Sequence, residues 1–383
     1  MMKDLFPPFK LERYFAQYEF KVRYLLSASD CEGLALHELL ALADADSLAR
    51  WDALTLGYTE SQGLPALREE VARMSPGLSA DDVLILAPEE GIFIAMQTLL
   101  NAGDHVICVA PAYQSLYEIT RSCGYDLTPW HARPSEGKWS FDLDELKRSI
   151  NPRTKLLVIN FPHNPTGYLP SRQELDAIVS VAAQNGLRVF SDEMYRGLEY
   201  QPGERLPAMC GLYERGISLS GMSKAYALPG LRIGWLATRD GEIMSRWMHA
   251  KDYTTICSSA PSEVLALMGL RARQAIIARN LQIIQTNLTA ADQFFAEFAA
   301  GFTWRKPRAG SVAFAQWLGG QPVEQWCQAI LDAQGVMIVP GSLFDAEGNY
   351  FRLGLGRRNF VEALEHVREH LHNTSGCQGP VGL

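Results

Sequence analysis

Residues 221–234, Gly-Met-Ser-Lys-Ala-Tyr-Ala-Leu-Pro-Gly-Leu-Arg-Ile-Gly, form the stretch that decides how this chain folds. The apolar residues just before it, Ile217–Leu219, predict a short buried strand whose end carries Lys224 into the interior. An amine that loses its hydration has a lowered pKa and becomes a neutral nucleophile. A lone lysine is usually a solvated surface residue, but the apolar flanks of Lys224 favour the buried alternative.

One major use of such a buried lysine is a Schiff base with pyridoxal phosphate (PLP), which also needs a carboxylate on the pyridine side. The residues around Lys224 suit the phosphate group. Backbone N–H groups and the Ser223 hydroxyl can face it, and Arg232 can bind it through two parallel N–H donors. The remaining parts of such a site must then lie elsewhere in the chain.

A loop with a restricted backbone follows the apolar strand at residues 155–159. Its sequence, Asn-Phe-Pro-His-Asn-Pro-Thr-Gly, places Asn164 between two prolines. The amide of Asn164 can donate to a phenolate oxygen or to a carboxylate. His163 beside it either lines the pocket or makes local hydrogen bonds.

The next strand, Leu187–Phe190, ends at Asp192, at the edge where open α/β sheets bind ligands. A carboxylate there can keep a pyridine nitrogen protonated. Tyr195 can donate its hydroxyl to the 3′ oxygen of the ring. Taken alone, Asp192 could equally be a helix N-cap, and Tyr195 a packing residue.

With these residues together, the chain resembles the PLP-dependent aminotransferases of fold type I, class I and II, the aspartate aminotransferase superfamily. The lysine segment fits the attachment pattern of that family. Five further segments resemble family motifs in the family's order, over roughly residues 50 to 370: Tyr58–Gly63, Pro111–Tyr113, Asn164–Gly167, Asp192–Tyr195 and Phe351–Gly354.

The resemblance assigns roles to several of these residues. It implies that the ring of Tyr113 stacks on the cofactor, and that Arg352 and Asn164 bind the substrate α-carboxylate. It also implies that Tyr58 reaches the phosphate in the site of a neighbouring subunit. The resemblance therefore predicts a homodimer with shared active sites.

The implied reaction moves an amino group from an L-amino acid to a 2-oxo acid by a ping-pong mechanism, with Lys224 as the proton carrier and Asp192 and Tyr195 as tuning groups. Only Arg352 is marked for a carboxylate, so neutral donors are favoured over dicarboxylic ones. A PLP-dependent lyase, cyclase or decarboxylase, acting on an amino acid that could be arginine-derived, is the alternative. A regulatory domain that only binds a ligand is favoured less.

Two departures from the family pattern bear on the site. Glu89 and Glu90 precede Gly91 where many members carry a Gly/Ser/Thr turn. They form an acidic first turn of a helix, or their backbone N–H groups serve the phosphate. Ser29 stands where relatives have a glycine facing the substrate, with Asp30 beside it. Asp30 either faces the pocket, which would favour basic or polar donors, or caps the helix expected at Leu34–Leu42.

Strand and helix patterns alternate along the first two thirds of the chain, which predicts an α/β fold with a mainly parallel sheet and helices on both faces. The resemblance specifies seven strands, of which Ile233–Ala237 is antiparallel. An α+β pattern begins near residue 280. We therefore expect a large PLP-binding domain at 46–279 and a small domain formed by 1–45 and 280–383.

The composition sets outer bounds on function. A net charge of −8 over 383 residues gives no reason to expect nucleic acid as a partner, and no apolar run is long enough to predict a membrane span. The histidines show no metal-ligand spacing. The seven cysteines are scattered without a C-x-x-C pair, which favours reduced thiols and a cytoplasmic enzyme.

Overall fold

The protein is described by a computed structural model that covers residues 6–375; the first five residues and the last eight, including Cys377, lie outside the described part. The helices are α1 (Lys10–Tyr18), α2 (Leu36–Leu42), α3 (Ala45–Asp52), α4 (Pro65–Ala72), α5 (Pro88–Thr98), α6 (Ser115–Ser122), α7 (Leu143–Ser149), α8 (Arg172–Gln184), α9 (Met209–Leu212), α10 (Gly241–Lys251), α11 (Ala260–Arg271), α12 (Arg273–Glu297), α13 (Val323–Gln334) and α14 (Phe360–Ser375). The strands are β1 (Tyr24–Leu25), β2 (Val83–Leu86), β3 (His105–Ala110), β4 (Asp126–Ser135), β5 (Lys138–Phe141), β6 (Thr154–Asn160), β7 (Arg188–Asp192), β8 (Gly216–Gly221), β9 (Gly234–Ala237), β10 (Phe302–Thr303), β11 (Val312–Trp317), β12 (Val336–Met337), β13 (Val339–Pro340) and β14 (Tyr350–Gly354).

The large sheet has the strand order β2-β9-β8-β7-β6-β3-β4-β5. Neighbours from β8 to β4 are parallel, and β9 is antiparallel to both β2 and β8. The mainly parallel sheet of seven strands with one antiparallel member is therefore confirmed. Its apolar strands are buried on both faces, as the long apolar runs of β2 and β6 require.

An eighth strand, which the sequence patterns did not indicate, extends this sheet. Strand β5 pairs antiparallel with the far half of β4 through a tight hairpin. The turn residues Glu136 and Gly137 both have positive φ, at 21° and 75°, as the two-residue hairpin turns require. The hairpin adds an edge to the sheet without changing its parallel centre.

A second, four-stranded sheet has the order β10-β11-β14-β13 and is antiparallel throughout. The N-terminal segment joins this part of the molecule, because β1 pairs parallel with β12. Gly354 makes the junction possible, since a Cβ at that position would lie 1.8 Å from the carbonyl oxygen of Ala28. The expected association of the N-terminal segment with the C-terminal part is present.

The boundary expected between residues 279 and 280 falls inside the continuous helix α12. The division into a large domain at 46–279 and a small domain at 1–45 and 280–383 remains a proposal, in which α12 links the two. Among residues 6–375, no helix combines the length and apolar character that crossing a membrane would need.

Candidate active site

The end of β7 delivers Asp192 into the interior. The carboxylate is buried, and its Oδ1 accepts a hydrogen bond from the backbone N–H of Met194 at 3.1 Å. Burial raises the pKa of Asp192 to about 7, while the charge of Lys224 lowers it. No helix begins at this residue, so Asp192 is not a helix cap. It is a buried acid whose ionised form needs a cationic partner.

The turn after β8 carries Lys224 to the same edge of the sheet. Its Nζ donates to Ser29 Oγ at 2.8 Å. Desolvation lowers the pKa of Lys224, and so does the charge of Arg352, whereas Asp30 raises it. The neutral amine that the sequence led us to expect is therefore favoured by the surroundings.

Two glycines bring this turn next to helix α5. A Cβ on Gly221 would lie 2.8 Å from Pro88 Cγ, and a Cβ on Gly234 would lie 2.7 Å from the same atom. The approach of β8 and β9 to the first turn of α5 thus depends on glycine at both positions. Free N–H groups at a helix N-terminus suit an anion, so the turn before Lys224 borders a natural phosphate site.

Two buried polar side chains lie beside these residues. The hydroxyl of Tyr195 is buried and has no hydrogen-bond partner within residues 6–375. The backbone N–H of Asn164 donates to Asn160 Oδ1 at 2.8 Å, which fixes the loop after β6. Asn164 Oδ1 accepts from the guanidinium of Arg352 at 3.3 Å. The loop and β14 therefore meet at the site.

Arg352 projects from β14 and is only 1% exposed. Its Nη2 donates to the carbonyl oxygen of Ser27 at 2.9 Å, its Nε has no partner in the described structure, and the ring of Phe344 lies 5.1 Å from the guanidinium carbon. None of the ion pairs within residues 6–375 includes Arg352, although a buried charge is normally paired. This free buried cation is suited to a carboxylate ligand.

The residues expected around the phosphate are less enclosed. Ser223 is nearly buried, whereas Arg232 is exposed, has a positive φ of 55° and donates to Pro229 O at 3.1 Å. Burial raises the pKa of Glu89 to about 7, and the charge of Arg232 lowers it. The side chains of Glu89 and Arg232 are thus close enough for their charges to interact.

Glu89 and Glu90 form the acidic first turn of α5 that was one of the two interpretations. Glu89 Oε2 accepts from Ser115 Oγ at 3.2 Å. Glu90 Oε1 accepts from the hydroxyls of Thr254 and, at 2.8 Å, Thr255. Hydroxyl groups therefore hold both carboxylates, and the backbone N–H groups of this turn remain available to an anion.

The two expected tyrosines behave differently. Tyr113 donates its hydroxyl to Glu12 Oε1 at 2.7 Å, and its ring lies 4.9 Å from that of Phe9. Tyr58 is 93% exposed and does not enter the site of its own chain. The first contact joins α1 to the site, and the second leaves Tyr58 free to reach another molecule.

Ser29 lies in the site through its contact with Lys224, and its carbonyl oxygen accepts from Ser311 Oγ at 2.6 Å. Asp30 does not cap α2, whose first turn is held instead by Glu38. Its carboxylate binds Arg357 at 2.9 and 3.1 Å. The carboxylate is thus already paired, although its charge still raises the pKa of Lys224, and an influence of Asp30 on the choice of donor stays a prediction.

His163 is a structural residue. It is fully buried, and its Nδ1 lies 2.7 Å from Thr166 Oγ1. Burial lowers its pKa to about 3, so the ring is neutral. Within residues 6–375, no cluster of three or more potential ligands could hold a metal ion.

The arrangement fits PLP on features of the chain itself. A buried acid, a desolvated amine and a buried hydroxyl without a partner converge at the ends of β7 and β8, where a pyridinium nitrogen, an aldehyde and a phenolate oxygen each need one of them. A free buried arginine stands beside them for a carboxylate.

The sequence profile of the family described as aminotransferase class I and II matches residues 24–367. The chain belongs to this family, whose cofactor is pyridoxal phosphate, and is a PLP-dependent transferase.

Several known proteins are similar over nearly the whole chain. Capreomycidine synthase of Streptomyces vinaceus is 29% identical over 375 residues, 95% of this chain and 94% of that protein. The crystal structure of a PLP-dependent aminotransferase from Streptococcus suis 89-1591 has a TM-score of 0.90 at 30% identity and covers 97% of this chain and 99% of its own. That of the PLP-dependent cyclase OrfR has a TM-score of 0.88 at 26% identity, with coverages of 96% and 98%.

Proposed function

We propose that this protein is an aminotransferase that moves the amino group of a non-dicarboxylic L-amino acid to a 2-oxo acid in two half-reactions. The observation that carries the proposal is Arg352, a buried cation with no acidic partner among residues 6–375, whose charge lowers the pKa of the desolvated Lys224 amine. An α-carboxylate bound at Arg352 would orient the substrate toward that amine.

Each side chain has a task in this proposal. When bound, PLP would supply an electron sink for the electrons left after the substrate Cα–H bond breaks. Lys224 Nζ takes the proton from Cα as a general base and returns it as a general acid. Asp192 would hold a protonated ring nitrogen by its charge, and Tyr195 would donate its hydroxyl to the ring oxygen. Arg352 and Asn164 hold the substrate carboxylate.

The arginines near the site argue against dicarboxylic donors. A second carboxylate needs a second free cation, preferably an arginine that binds it with two donors. Arg357 and Arg358, which lie beside the N-terminal segment, are already paired with Asp30 and Glu32. Neutral donors, as the sequence suggests, need no such partner.

A second candidate is a PLP-dependent cyclase. The observation in its favour is the similarity to a capreomycidine synthase and to the cyclase OrfR over almost the entire chain. A lyase or decarboxylase would use the same lysine and acid, because all these reactions begin by breaking a bond at Cα. A role limited to ligand binding is less favoured, since Lys224, Asp192 and Arg352 are all present together.

Adding amino acids singly to the purified holoenzyme, without any 2-oxo acid, distinguishes these reactions. Transamination leaves the cofactor in its amine form, which absorbs at a different wavelength, together with one equivalent of 2-oxo acid. Cyclisation or elimination regenerates the starting spectrum and releases a different product. If every amino acid that binds is converted without accumulation of the amine form, the aminotransferase proposal fails.

We also propose that the active form is a homodimer in which Tyr58 completes the partner's site. Tyr58, Leu56 and Tyr253 are all more than four-fifths exposed, and Ser61 Oγ ties their two segments together by donating to Ile256 O at 2.8 Å. Such an apolar surface is typical of an interface. A cytoplasmic location, expected from the scattered cysteines, stays a prediction.

Mixing two inactive variants, Tyr58→Ala and Lys224→Ala, tests the shared site. Each hybrid dimer would contain one site with both defects and one with neither, so part of the activity should return. Absence of recovery after verified subunit exchange would contradict the proposal that Tyr58 acts across the interface.

A further inference from the structure

Helix α1 forms a bridge over the site between the two sheets. At its start, the backbone N–H of Lys10 donates to Gln114 Oε1 at 2.9 Å, and Gln114 donates in turn to Pro8 O at 3.2 Å. In its middle, the hydroxyl of Tyr14 donates to Ile338 O at 3.1 Å. Since Gln114 precedes α6 and Ile338 lies between β12 and β13, these contacts fix α1 relative to both parts of the molecule.

One face of α1 carries acidic residues and is turned toward Arg352, the residue proposed to bind the substrate carboxylate. Glu12 and Phe15 in α1, and Glu19 directly after it with helical backbone angles, follow the spacing that places residues on one side of a helix. The ring of Phe15 lies 5.9 Å from the guanidinium carbon of Arg352. Two half-buried carboxylates, one turn to either side of Phe15, therefore flank the space in front of Arg352.

The charges around this space do not balance within the chain. Asp30 is paired with Arg357, whereas within residues 6–375 neither Glu12 nor Glu19 forms an ion pair. Among the described residues, the Glu12 carboxylate accepts a side-chain hydrogen bond only from the Tyr113 hydroxyl, a neutral donor, at 2.7 Å. The charge of Glu12 nevertheless raises the pKa values of both Lys224 and Arg352, so its carboxylate lies near the reacting groups.

The other charges of the site have ligand groups assigned to them under the proposed function. Arg352 serves the α-carboxylate, Asp192 the ring nitrogen and Arg232 the phosphate. A neutral amino acid would leave the Glu12 carboxylate without a cation. A donor with an acidic side chain would be repelled by the Glu12 carboxylate, and this electrostatic free energy grows as water is excluded from the site.

We propose that Glu12 is a specificity-determining residue that binds the cationic side chain of the amino-acid donor, an ammonium or a guanidinium group, with Glu19 adding to the field. This inference rests on the proposed binding of an amino acid at Arg352. It changes the preferred donor from neutral, as the sequence suggested, to basic, and it transfers to Glu12 the role that the sequence had left open for Asp30.

The test compares pairs of amino acids that differ in side-chain charge, with the holoenzyme as it is purified. L-Arginine is matched with L-citrulline, and L-ornithine with L-norvaline; dissociation constants come from the absorbance change of the bound cofactor. We expect at least one basic member to bind about tenfold or more tighter than its neutral counterpart, and the two pairs distinguish a guanidinium from an ammonium group. Neutral members that bind as tightly as both basic ones would overturn the proposal.

The variant Glu12→Gln keeps the shape of the side chain and its acceptor for Tyr113. It should reduce the preferred pair's ratio of basic to neutral affinity by about ten- to a hundredfold, the range for a charge-assisted bond. A hydrogen bond to Tyr113 with only a structural role would weaken both members alike and leave the ratio unchanged, which would refute the inference.

Two further variants complete the test. Glu324→Gln removes the same charge from an exposed position on α13, and should leave all affinities as they are. Glu19→Gln should lower the ratio less than Glu12→Gln, and it keeps the proposal testable if the first variant folds poorly. The dissociation constants are obtained whether or not an amino group is transferred. Failure of the aminotransferase proposal, seen as no accumulation of the amine form, is therefore distinct from failure of this one.

Discussion

The two walls of the site differ in how their charges are balanced. One wall, called here the strand-end wall, is formed by the ends of β7 and β8 and carries Asp192 and Lys224. Desolvation raises the pKa of Asp192 and lowers that of Lys224, which favours the uncharged form of each group. The opposite wall, the N-terminal segment, carries Asp30 in an ion pair with Arg357 at 2.9 Å. The first wall thus leaves its charges for ligands, whereas in the second the Asp30–Arg357 pair holds the backbone in place and Glu12 is the charge proposed to meet a ligand.

The largest effect should come from the strand-end wall. Lys224→Ala should abolish covalent attachment of the cofactor and reduce turnover by about 10³-fold or more, since general acid–base catalysis is lost together with the attachment. Borohydride reduction followed by peptide mass spectrometry locates the adduct. The control is Lys21→Ala, an exposed lysine after α1. An adduct on any residue other than Lys224 would contradict the assignment of the cofactor to the ends of β7 and β8.

Asp192→Asn should follow, with a loss of about 10²–10³-fold in the rate of Cα proton removal, the range for loss of one preorganised electrostatic contact. Asparagine preserves the shape but cannot balance a protonated ring nitrogen. Single-turnover measurements with a Cα-deuterated donor isolate this step. A rate near that of the native enzyme would mean that Asp192 is only a structural acid.

The same substitution predicts a pH effect on stability. Burial raises the pKa of Asp192 from 3.8 to about 7, so between these values the folded apoprotein holds a proton that the unfolded chain has lost. The contribution of Asp192 to stability is therefore lost as the pH rises through about 7. The melting temperature of the native apoprotein should fall between about pH 4 and about pH 7, and Asp192→Asn should reduce that fall.

Some pH dependence should remain in that variant, because burial also raises the pKa values of Glu89 and Glu263 to about 7. The informative quantity is the difference in melting temperature between the native apoprotein and the Asp192→Asn apoprotein at each pH. Identical slopes for the two apoproteins would show that Asp192 is ionised in the folded state even without a cationic ligand.

Arg352→Lys tests the substrate side with a smaller effect. Lysine keeps the charge but cannot form the two-donor contact with a carboxylate. The KM for every amino acid should rise by about ten- to a hundredfold, corresponding to about 1.5–3 kcal/mol. Arg358→Lys, an exposed neighbour after β14, serves as the control. A rise confined to one class of donors would place Arg352 at the substrate side chain instead.

The smallest effect on specificity is expected from Asp30→Asn. Because Asp30 is held by Arg357 and supports the backbone, the ranking of donors should stay within about twofold, while the melting temperature falls. Competition between L-arginine and L-citrulline measures the ranking. A change as large as that expected for Glu12→Gln would show that Asp30 also presents its charge to the substrate.

The strand-end wall could be predicted because its residues lie in contiguous segments. Lys224 and Asp192 each follow a buried apolar strand, and parallel strands bring their carboxyl ends to one edge of a sheet. Local patterns therefore specified both the elements and the side chains at their ends.

The opposite wall could not be predicted in the same way. Asp30 and Arg357 are 327 positions apart, and no local pattern shows which arginine an acid will meet. Glu12 was missed although Glu12, Phe15 and Glu19 have helical spacing, because that spacing predicts a face but not what the face contacts. The hairpin of β4 and β5 was missed for a related reason, since its turn includes a non-glycine residue with positive φ, Glu136.

The junction at Gly354 has a consequence for the order in which the parts of the site form during synthesis. The Ser27 carbonyl binds Arg352 across 325 residues of chain, and the segment around Ala28 lies directly against Gly354. A ribosome releases the N-terminus first, so this segment emerges long before the strand that receives it exists. The strands of the large sheet all precede residue 238, but the substrate site is complete only when β14 appears. Nascent chains that contain Lys224 but not yet β14 therefore lack Arg352 and the strand that holds the Ser27–Ala28 segment.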